Sequence, residues 1–471
     1  MKDNLRGAAG GSLTMPRPME KCGLIGEKLF LYLVLIPLLL LWAVPAPAAQ
    51  GEEAPQTVAP QETEAVTGPV NYDRAVRLAI RRSPFFLKSS LEVEIKKLDE
   101  TDSKFDLVPK VTFRTQYYVN RPEGSANRPY TLSFVSSSYN PMESYFTLQA
   151  KKLFTQIAVL AHMQVVSEGI QKLGRMFLEM ETLMAAAARQ QNLVELARQN
   201  LDYFQNKEKI GSGTSLEVKV ATQELAAAKA EQERIAVSRK RLHERIKAVI
   251  GLKPEQTLEL DCKDARRQVT GGFDLASASL EEAKRRSHLL KIAALKKELQ
   301  QYNITLAKAK LLPLVFIGAT TPDPLSTTRS RDLFFSLGLE VPVWDGFKRV
   351  RNISRQKTVL RQYEVEMDEQ GLDLADKWSD AQENLRAADV NRKAAQVQEE
   401  LARLKERQGD IRYQSGGELS VLLEGRKILM DAQKASSLNN LNYDLAVLGL
   451  RHLSGDLSAS YVDEQSWQQQ Q

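Results

Sequence analysis

Four polar residues flank two glycine-rich turns in this 471-residue chain, and their types suit them to act together. Glu217 and Tyr413 could share a hydrogen bond, while Ser420 and Glu424 follow the second turn. Carboxylates repeated around a narrow passage would form a ring of negative charge. A plainer alternative is that these acids favour the positive end of a helix dipole, as acids in a first helical turn do. Both interpretations stay open at the level of sequence.

Other residue patterns argue against catalysis and against metal binding. The histidines show no pairing at the spacing of metal ligands; they are His162, His243, His288 and His452. His243-Glu244 is not followed by a second histidine, so the zinc-protease pattern is missing. The chain shows no phosphate loop, nucleophile elbow or dinucleotide fingerprint. We therefore predict a protein that is not an enzyme and has no cofactor.

The charge balance argues against nucleic-acid binding. The chain has 65 basic and 59 acidic residues, a net charge of +6, and both signs alternate along the helical stretches. A nucleic-acid protein usually gathers its bases on one face or tail. Hydrophobic residues make up 43% and charged residues 26% of the chain, which is typical of a folded, helix-rich protein.

An N-terminal apolar run predicts secretion. Residues 29–44 are strongly apolar, follow Lys28, and lead to small residues that end at Ala49. A basic flank, a short apolar core and an A-x-A exit are typical of a secretory signal. A retained membrane anchor is the alternative, but the run is short for a spanning helix and Pro37 interrupts it.

We therefore predict a signal peptide over residues 1–49, with Met15 or Met19 as plausible true starts. Residues 50–69 are rich in Glu, Pro, Gln and Thr and predict a flexible leader. Cleavage would leave Cys262 as the one cysteine, so no internal disulfide is expected.

The rest of the chain resembles one unit written twice. Residues 107–111 align with 311–315 at an offset of 204, and the turn at 212–218 aligns with 415–421. We predict a first repeat over residues 70–251 and a second over 277–455. A mid-height connection, residues 252–276, would join them, and residues 456–471 would form a polar tail.

Within each repeat the pattern changes from helix to strand and back. Helical spacing predicts one helix from Tyr72 to about Leu107 and another from Leu280 to Leu311, ended by prolines. Short alternating runs predict strands at 111–117, 130–134, 145–148, 314–317 and 333–339. Proline-free stretches then predict very long helices from about 154 to 210 and from about 346 to 413, each followed by a Gly-Ser turn and a shorter return helix.

Each repeat offers two strands of about 8 to 11 residues, the length of a tilted membrane strand. Four such strands per chain cannot close a barrel, and an open sheet edge in lipid leaves backbone groups unsatisfied. Several chains must therefore pool their strands, which predicts an outer-membrane protein of a Gram-negative bacterium with its helices in the periplasm. Trp344 and the strand tyrosines suit an aromatic belt at the membrane interface.

Two stretches resemble motifs of the TolC-type outer-membrane efflux family. Residues 339–346, LEVPVWDG, are similar to its strand-to-helix junction, and residues 413–424 are similar to its periplasmic tip. The first repeat departs from the pattern, because residues 151–156 lack the proline and glycine of that junction.

This resemblance implies a mainly α fold: an α-helical barrel continuous with a trimeric twelve-stranded β-barrel. It further implies an exit duct for a tripartite efflux or type I secretion system, contacting outer-membrane lipid. The expected partners are a periplasmic adaptor and an inner-membrane pump. A membrane-anchored periplasmic coiled-coil adaptor or scaffold, with residues 29–44 retained, is the alternative.

The resemblance places the predicted site at the periplasmic tips, residues 210–217 and 412–420. The gate candidates are Glu217, Tyr413, Ser420 and Glu424. The adaptor-contact candidates are Gly211, Gly213, Ser215, Gly416 and Gly417.

Overall fold

The computed structural model describes most of the chain after the predicted leader. The described residues are 68–117, 130–136, 138–275, 278–321, 334–341, 344–416, 418–459 and 461. The predicted signal peptide and nearly all of the leader lie outside them.

The described chain is mostly helical, and the order of its elements is nearly the same in its two halves. The first half contains α1 (Tyr72–Arg82), α2 (Pro84–Phe105), β1 (Val111–Tyr117), β2 (Tyr130–Ser136), α3 (Pro141–Lys209), α4 (Ser215–Ile250) and the short α5 (Ala265–Thr270). The second half contains α6 (Leu280–Arg286), α7 (His288–Ala309), β3 (Leu314–Thr321), β4 (Phe334–Glu340), α8 (Lys348–Gln414), α9 (Leu419–Leu453) and α10 (Asp456–Ala459).

Two helices dominate this order, as predicted. Helix α3 has 69 residues and α8 has 67, so each spans about 100 Å at 1.5 Å per residue. A stretch of α3 is long and apolar enough to cross a membrane, but 56% of it is buried within this chain. We therefore regard that stretch as a core segment of a long helix.

The predicted strand at residues 145–148 is wrong, because α3 begins earlier than expected. The side chain of Asn140 accepts hydrogen bonds from the backbone N–H groups of Met142 and Glu143, and Pro141 occupies the first turn. An Asn cap followed by Pro is a strong helix start. Leu148 is buried on the helix.

The helix predicted at the start of each repeat, from Tyr72 to about Leu107 and from Leu280 to Leu311, is instead two helices with a break at a serine. Ser83 is extended (ψ 124°), and Pro84 starts α2. Ser287 is extended in the same way (ψ 117°) without a following proline, and its Oγ accepts a hydrogen bond from the N–H of Leu290. A capping hydroxyl is therefore enough to restart the helix.

The main core lies where α1, α3, α4, α5 and α9 meet. Its fully buried side chains include Tyr72, Ile170, Phe177, Ile246 and Leu448. The predicted connection at 252–276 contributes buried residues to this core, among them Leu258, Cys262 and Val269. The packed chain also continues into the predicted tail, since Leu457 is buried.

The four strands form one antiparallel sheet in the order β1-β2-β3-β4. Strands from both halves are thus hydrogen-bonded in one layer, and β1 and β4 are its edges. The pairing Phe113↔Phe134 and Ile317↔Leu337 puts apolar side chains on one face. The opposite face carries Thr112, Arg114, Ser133, Ser336 and Gly338, and the ring of Phe316 covers Gly338 there.

Candidate functional site

The first tip turn joins α3 to α4, and its backbone requires glycine at two positions. Gly211 has a positive φ of 76° and open space around its Cα. A Cβ on Gly213 would lie 2.9 Å from the backbone nitrogen of Glu208, closer than real contacts allow. Both glycines, and Ser215 at the start of α4, lie at or near the solvent-facing end of the hairpin.

Glu217, in the first turn of α4, forms hydrogen bonds to Thr214 of the tip turn. Its Oε2 accepts hydrogen bonds from the backbone N–H of Thr214 at 2.8 Å and from the Thr214 hydroxyl at 3.0 Å, while Thr214 Oγ1 accepts from the N–H of Glu217. This is a capping box, which satisfies two helix-terminal donors reciprocally. These hydrogen bonds hold the pKa of Glu217 below its usual range.

The second tip turn joins α8 to α9. Tyr413 lies in the last turn of α8 and is 43% exposed, and Gly416 has a φ of 92°. The Ser420 hydroxyl donates to Glu418 Oε2 at 3.0 Å, and Glu424 is exposed one turn later. Gly417 lies outside the described residues.

The predicted gate pair is not joined within one chain. In the described part of the chain, Glu217 bonds to Thr214, and no hydrogen bond links it to Tyr413. The two tips are connected instead by an ion pair of 3.7 Å between Lys207 and Glu418. A role for Glu217 and Tyr413 between subunits stays a prediction.

The structure also shows residues that sequence reasoning missed. Lys427 Nζ lies 2.9 Å from Glu224 Oε1, and Lys434 Nζ lies 3.2 Å from Glu231 Oε1. We call these two pairs the ion-pair column. They link the return helices α4 and α9 one heptad apart.

A sequence signal for the ion-pair column exists. Both pairs are separated by 203 residues (427 − 224 and 434 − 231), the offset that aligns Ser212 with Ser415 in the tip turns. Opposite charges at the alignment offset of two repeats, repeated after seven residues, therefore predict a contact between the repeats.

Glu231 is the most strongly perturbed acid of the column. Arg234 forms two hydrogen bonds to its carboxylate, and Lys434 adds a third. These partners, Arg234 first, lower the pKa of Glu231 to about 2. The carboxylate is consequently charged at neutral pH, so its ion pair with Lys434 persists there.

The histidines serve packing contacts in the described chain. His162 Nδ1 lies 2.7 Å from Ser89 Oγ, and His452 Nδ1 lies 3.0 Å from Ser167 Oγ. Burial lowers the pKa of both imidazoles. Among the described residues, no group of three or more His, Cys, Asp or Glu side chains is placed to hold a metal ion.

Comparisons with known proteins address the fold. No protein-family model and no curated protein matches this sequence. Solved structures do match. The outer membrane protein VceC of Vibrio cholerae is 14% identical with a TM-score of 0.68, and the match covers 82% of this chain and 96% of that one.

Two further structures give the same result. The CmeC outer membrane channel of Campylobacter jejuni is 13% identical with a TM-score of 0.68, covering 85% of this chain and 88% of its own. The open state of the MtrE outer membrane channel of Neisseria gonorrhoeae is 14% identical with a TM-score of 0.67, covering 82% and 88%. The chain therefore has the mainly helical fold of these channels, as the TolC-type resemblance led us to expect, while the trimeric twelve-stranded barrel stays a prediction.

Proposed function

We propose that this protein is an outer-membrane channel that forms the exit duct of a tripartite efflux or type I secretion system. The observation that carries the proposal is the two-faced sheet in a chain that also has two helices of about 100 Å. A soluble fold would cover the apolar face of such a sheet, whereas lipid would contact it directly.

One face of the sheet is apolar and uncovered in the single chain. Leu337, at 76%, is the most exposed apolar side chain on this face. The other exposed apolar side chains there are Val111, Phe113, Phe134, Ile317, Phe335, Leu339 and Val341. The opposite face carries mostly small or polar residues. This alternation is what a strand between lipid and a watery lumen needs.

The sheet edges argue for several copies around one axis. β1 pairs only with β2, and β4 pairs only with β3, among the described strands. Unpaired strand edges cannot remain in lipid, because nothing there satisfies their backbone N–H and C=O groups. Pairing β4 of one copy with β1 of the next would close a barrel, and three copies would give twelve strands.

The helices offer a matching contact. Helix α3 packs against α4 and α9, and α8 packs against α9, so α4 and α8 are the outer members of this layer. Along α8, Val390, Val397, Leu404 and Ile411 are exposed and seven residues apart; we call them the α8 seam. Leu216, Val220 and Val237 are exposed on α4.

A head-to-tail contact between the α8 seam of one copy and α4 of the next would close a ring of helices. The second half of one copy would again contact the first half of the next, as in the pairing of β4 with β1. The opposite face of α8 is already occupied, since Ala388, Ala395, Ala402 and Gly409 are buried against the same chain. Such a homotrimer would form a helical barrel continuous with the β-barrel.

At the tips we propose the predicted gate in a modified form. The ion-pair column and the Lys207–Glu418 pair hold the two hairpins of one chain together, and Glu217, Tyr413, Ser420 and Glu424 face the entrance in the assembly. The exposed turns at Gly211, Gly213, Ser215 and Gly416 would contact a periplasmic adaptor, which links the duct to an inner-membrane pump. No described feature favours the alternative of an anchored adaptor.

Membrane fractionation with cross-linking tests the proposal. The mature protein should sediment with the outer membrane and cross-link to three times the monomer mass in native membranes. Sedimentation with the inner membrane, or a chain that stays monomeric after extraction in mild detergent, would contradict it.

A further inference from the structure

Among the described residues, the polar face of the sheet carries a single charged side chain away from the strand ends. Among the described residues on that face, Arg114 lies in the middle of β1 and is exposed, whereas Thr112, Ser133, Ser336 and Gly338 are uncharged. The pairing Phe113↔Phe134, with ring centroids 5.1 Å apart on the other face, fixes this side of β1.

The one described acid on this face lies far from Arg114 along the sheet. Arg114 pairs with Ser133, and that row continues to Thr320 and Phe334. Glu340 lies six residues beyond Phe334 on β4, which is roughly 20 Å from the row of Arg114 at about 3.4 Å per residue. It accepts a hydrogen bond from Ser138 at the helix end of the sheet. Because the Debye length is about 8 Å at physiological salt, Glu340 does not neutralise Arg114 of the same chain.

We propose that Arg114 forms a cationic ring that makes the barrel lumen favour anionic solutes. This inference rests on the proposed channel, since the ring exists only if the polar face lines a closed barrel. Three copies would place three guanidinium groups at one level, in a row whose other described residues, Ser133, Thr320 and Phe334, are uncharged. Arg114 would then favour negatively charged cargo in the last part of the route.

The expected size of the effect follows from Coulomb's law. At low ionic strength, where salt screening is weak, a unit positive charge about 8 Å away in water favours a monovalent anion over a monovalent cation about fivefold. The Arg114 side chains of the other two copies and the low dielectric of the barrel wall would increase this preference.

Chemical modification of a reporter cysteine measures the potential at this level directly. Ser133 is the pairing partner of Arg114, so Ser133→Cys puts a thiol beside the ring. The protein in lipid vesicles is treated with two methanethiosulfonate reagents of similar size, one anionic and one cationic. The native Cys262 does not compete, because it is buried and its pKa is raised to about 12.

In buffer of low ionic strength and with Arg114 present, the anionic reagent should react about five times faster than the cationic one, relative to their rates with a small free thiol. Arg114→Gln should remove that preference, Arg114→Glu should invert it, and Arg114→Lys should retain it. Equal relative rates with Arg114 and with Gln would overturn the inference.

A second reporter separates this inference from the proposed function. Leu337→Cys lies on the apolar face and should be protected from both reagents in vesicles, whereas Ser133→Cys should react. If the two positions react equally, the sheet is not a barrel wall and the proposed channel fails. If only Ser133→Cys reacts, but without dependence on residue 114, the channel stands and the cationic ring fails.

Discussion

At the scale of single residues, Gly251 and Gly272 have nearly the same backbone conformation in different surroundings. Their φ angles are 86° and 79°, in the left-handed region that favours glycine. A Cβ on Gly251 would lie 2.5 Å from the carbonyl oxygen of Arg82, while nothing lies within 4 Å of one on Gly272. Gly251 thus lets the end of α4 approach the end of α1.

We therefore expect Gly251→Ala to destabilise the protein more than Gly272→Ala. The backbone conformation alone costs on the order of 1 kcal/mol in each variant, and the clash should add about 1–3 kcal/mol to Gly251→Ala. Thermal unfolding of the two variants beside the wild type measures the difference. Equal losses would mean that the α4–α1 approach is not tight in solution.

His452 should make the stability depend on pH. Burial lowers its pKa, partly opposed by the charge of Glu168, so the folded chain binds a proton less readily than the unfolded chain. Its contribution is complete above the unfolded pKa of about 6.5 and is lost as pH falls toward the folded pKa. Stability should therefore decrease from pH 7.5 to 5.5.

His452→Gln should reduce that decrease, since glutamine can still bond to Ser167 but does not titrate there. Melting temperatures across the pH range measure the slope, and His243→Gln is the matched control on α4, outside this contact. His162, which burial perturbs in the same direction, should account for part of the remaining slope. A wild-type slope that persists in His452→Gln would argue against this role.

The tip residues show how far a sequence can identify a site. The sequence left open whether Glu217 is a gate residue or a helix-start acid, and its capping box with Thr214 shows that it does serve the helix start. Thr-x-x-Glu is a local signature that could have been recognised from the sequence alone. The pair Lys207–Glu418 could not, because it depends on how two hairpins pack.

At the scale of elements, the ion-pair column should hold α4 to α9. Glu224→Gln combined with Glu231→Gln removes both links, each about 0.2–1 kcal/mol because these pairs are partly exposed. Exchange of the backbone amide hydrogens should then become faster in the N-terminal half of α9, which carries Lys427 and Lys434. Glu399→Gln is the matched control, since Glu399 pairs with Arg403 on its own helix.

This coupling should resist mild acid. The folded pKa of Glu231 is about 2, below its unfolded value, so its contribution is present above about pH 4.5 and is lost as pH falls toward 2. The difference in exchange between the wild type and the double variant should therefore persist at pH 5. An equal effect of the Glu399 control would show that α9 responds to charge loss in general.

Sequence patterns predicted most elements well and failed at particular junctions. The end of α8 lies within one residue of its prediction, because a proline-free run stops at a Gly-Ser turn. The strand predicted at 145–148 failed, since aromatic alternation over four residues does not outweigh the Asn140 cap and Pro141. The break at Ser287 carries no proline and was invisible for that reason.

At the scale of the whole molecule, the described part of a single chain leaves three kinds of surface without partners. They are the apolar face of the sheet, its two edge strands and the α8 seam. The first would be satisfied by lipid and the other two by further copies of this chain. Sequence alone suggested the need for copies from the strand count, but it did not identify which helix faces meet.

The α8 seam gives the sharpest test of assembly. Val397 and Leu404 are exposed by 66% and 60% in one chain, and they point away from Ala395 and Ala402, which pack within that chain. Val397→Asp with Leu404→Asp should therefore leave the protomer folded but place unpaired charges in the contact with α4 of the next copy. Burying such charges costs several kcal/mol per ion, so the proposed trimer should dissociate.

Sedimentation in detergent, with circular dichroism as the check on folding, distinguishes the outcomes. The double variant should be monomeric with wild-type helix content. Gln398→Glu, which adds a charge about 100° around the helix from Val397, should remain trimeric. If the double variant also remains trimeric, α8 does not form the subunit contact, and the assembly must rest on the strand edges alone.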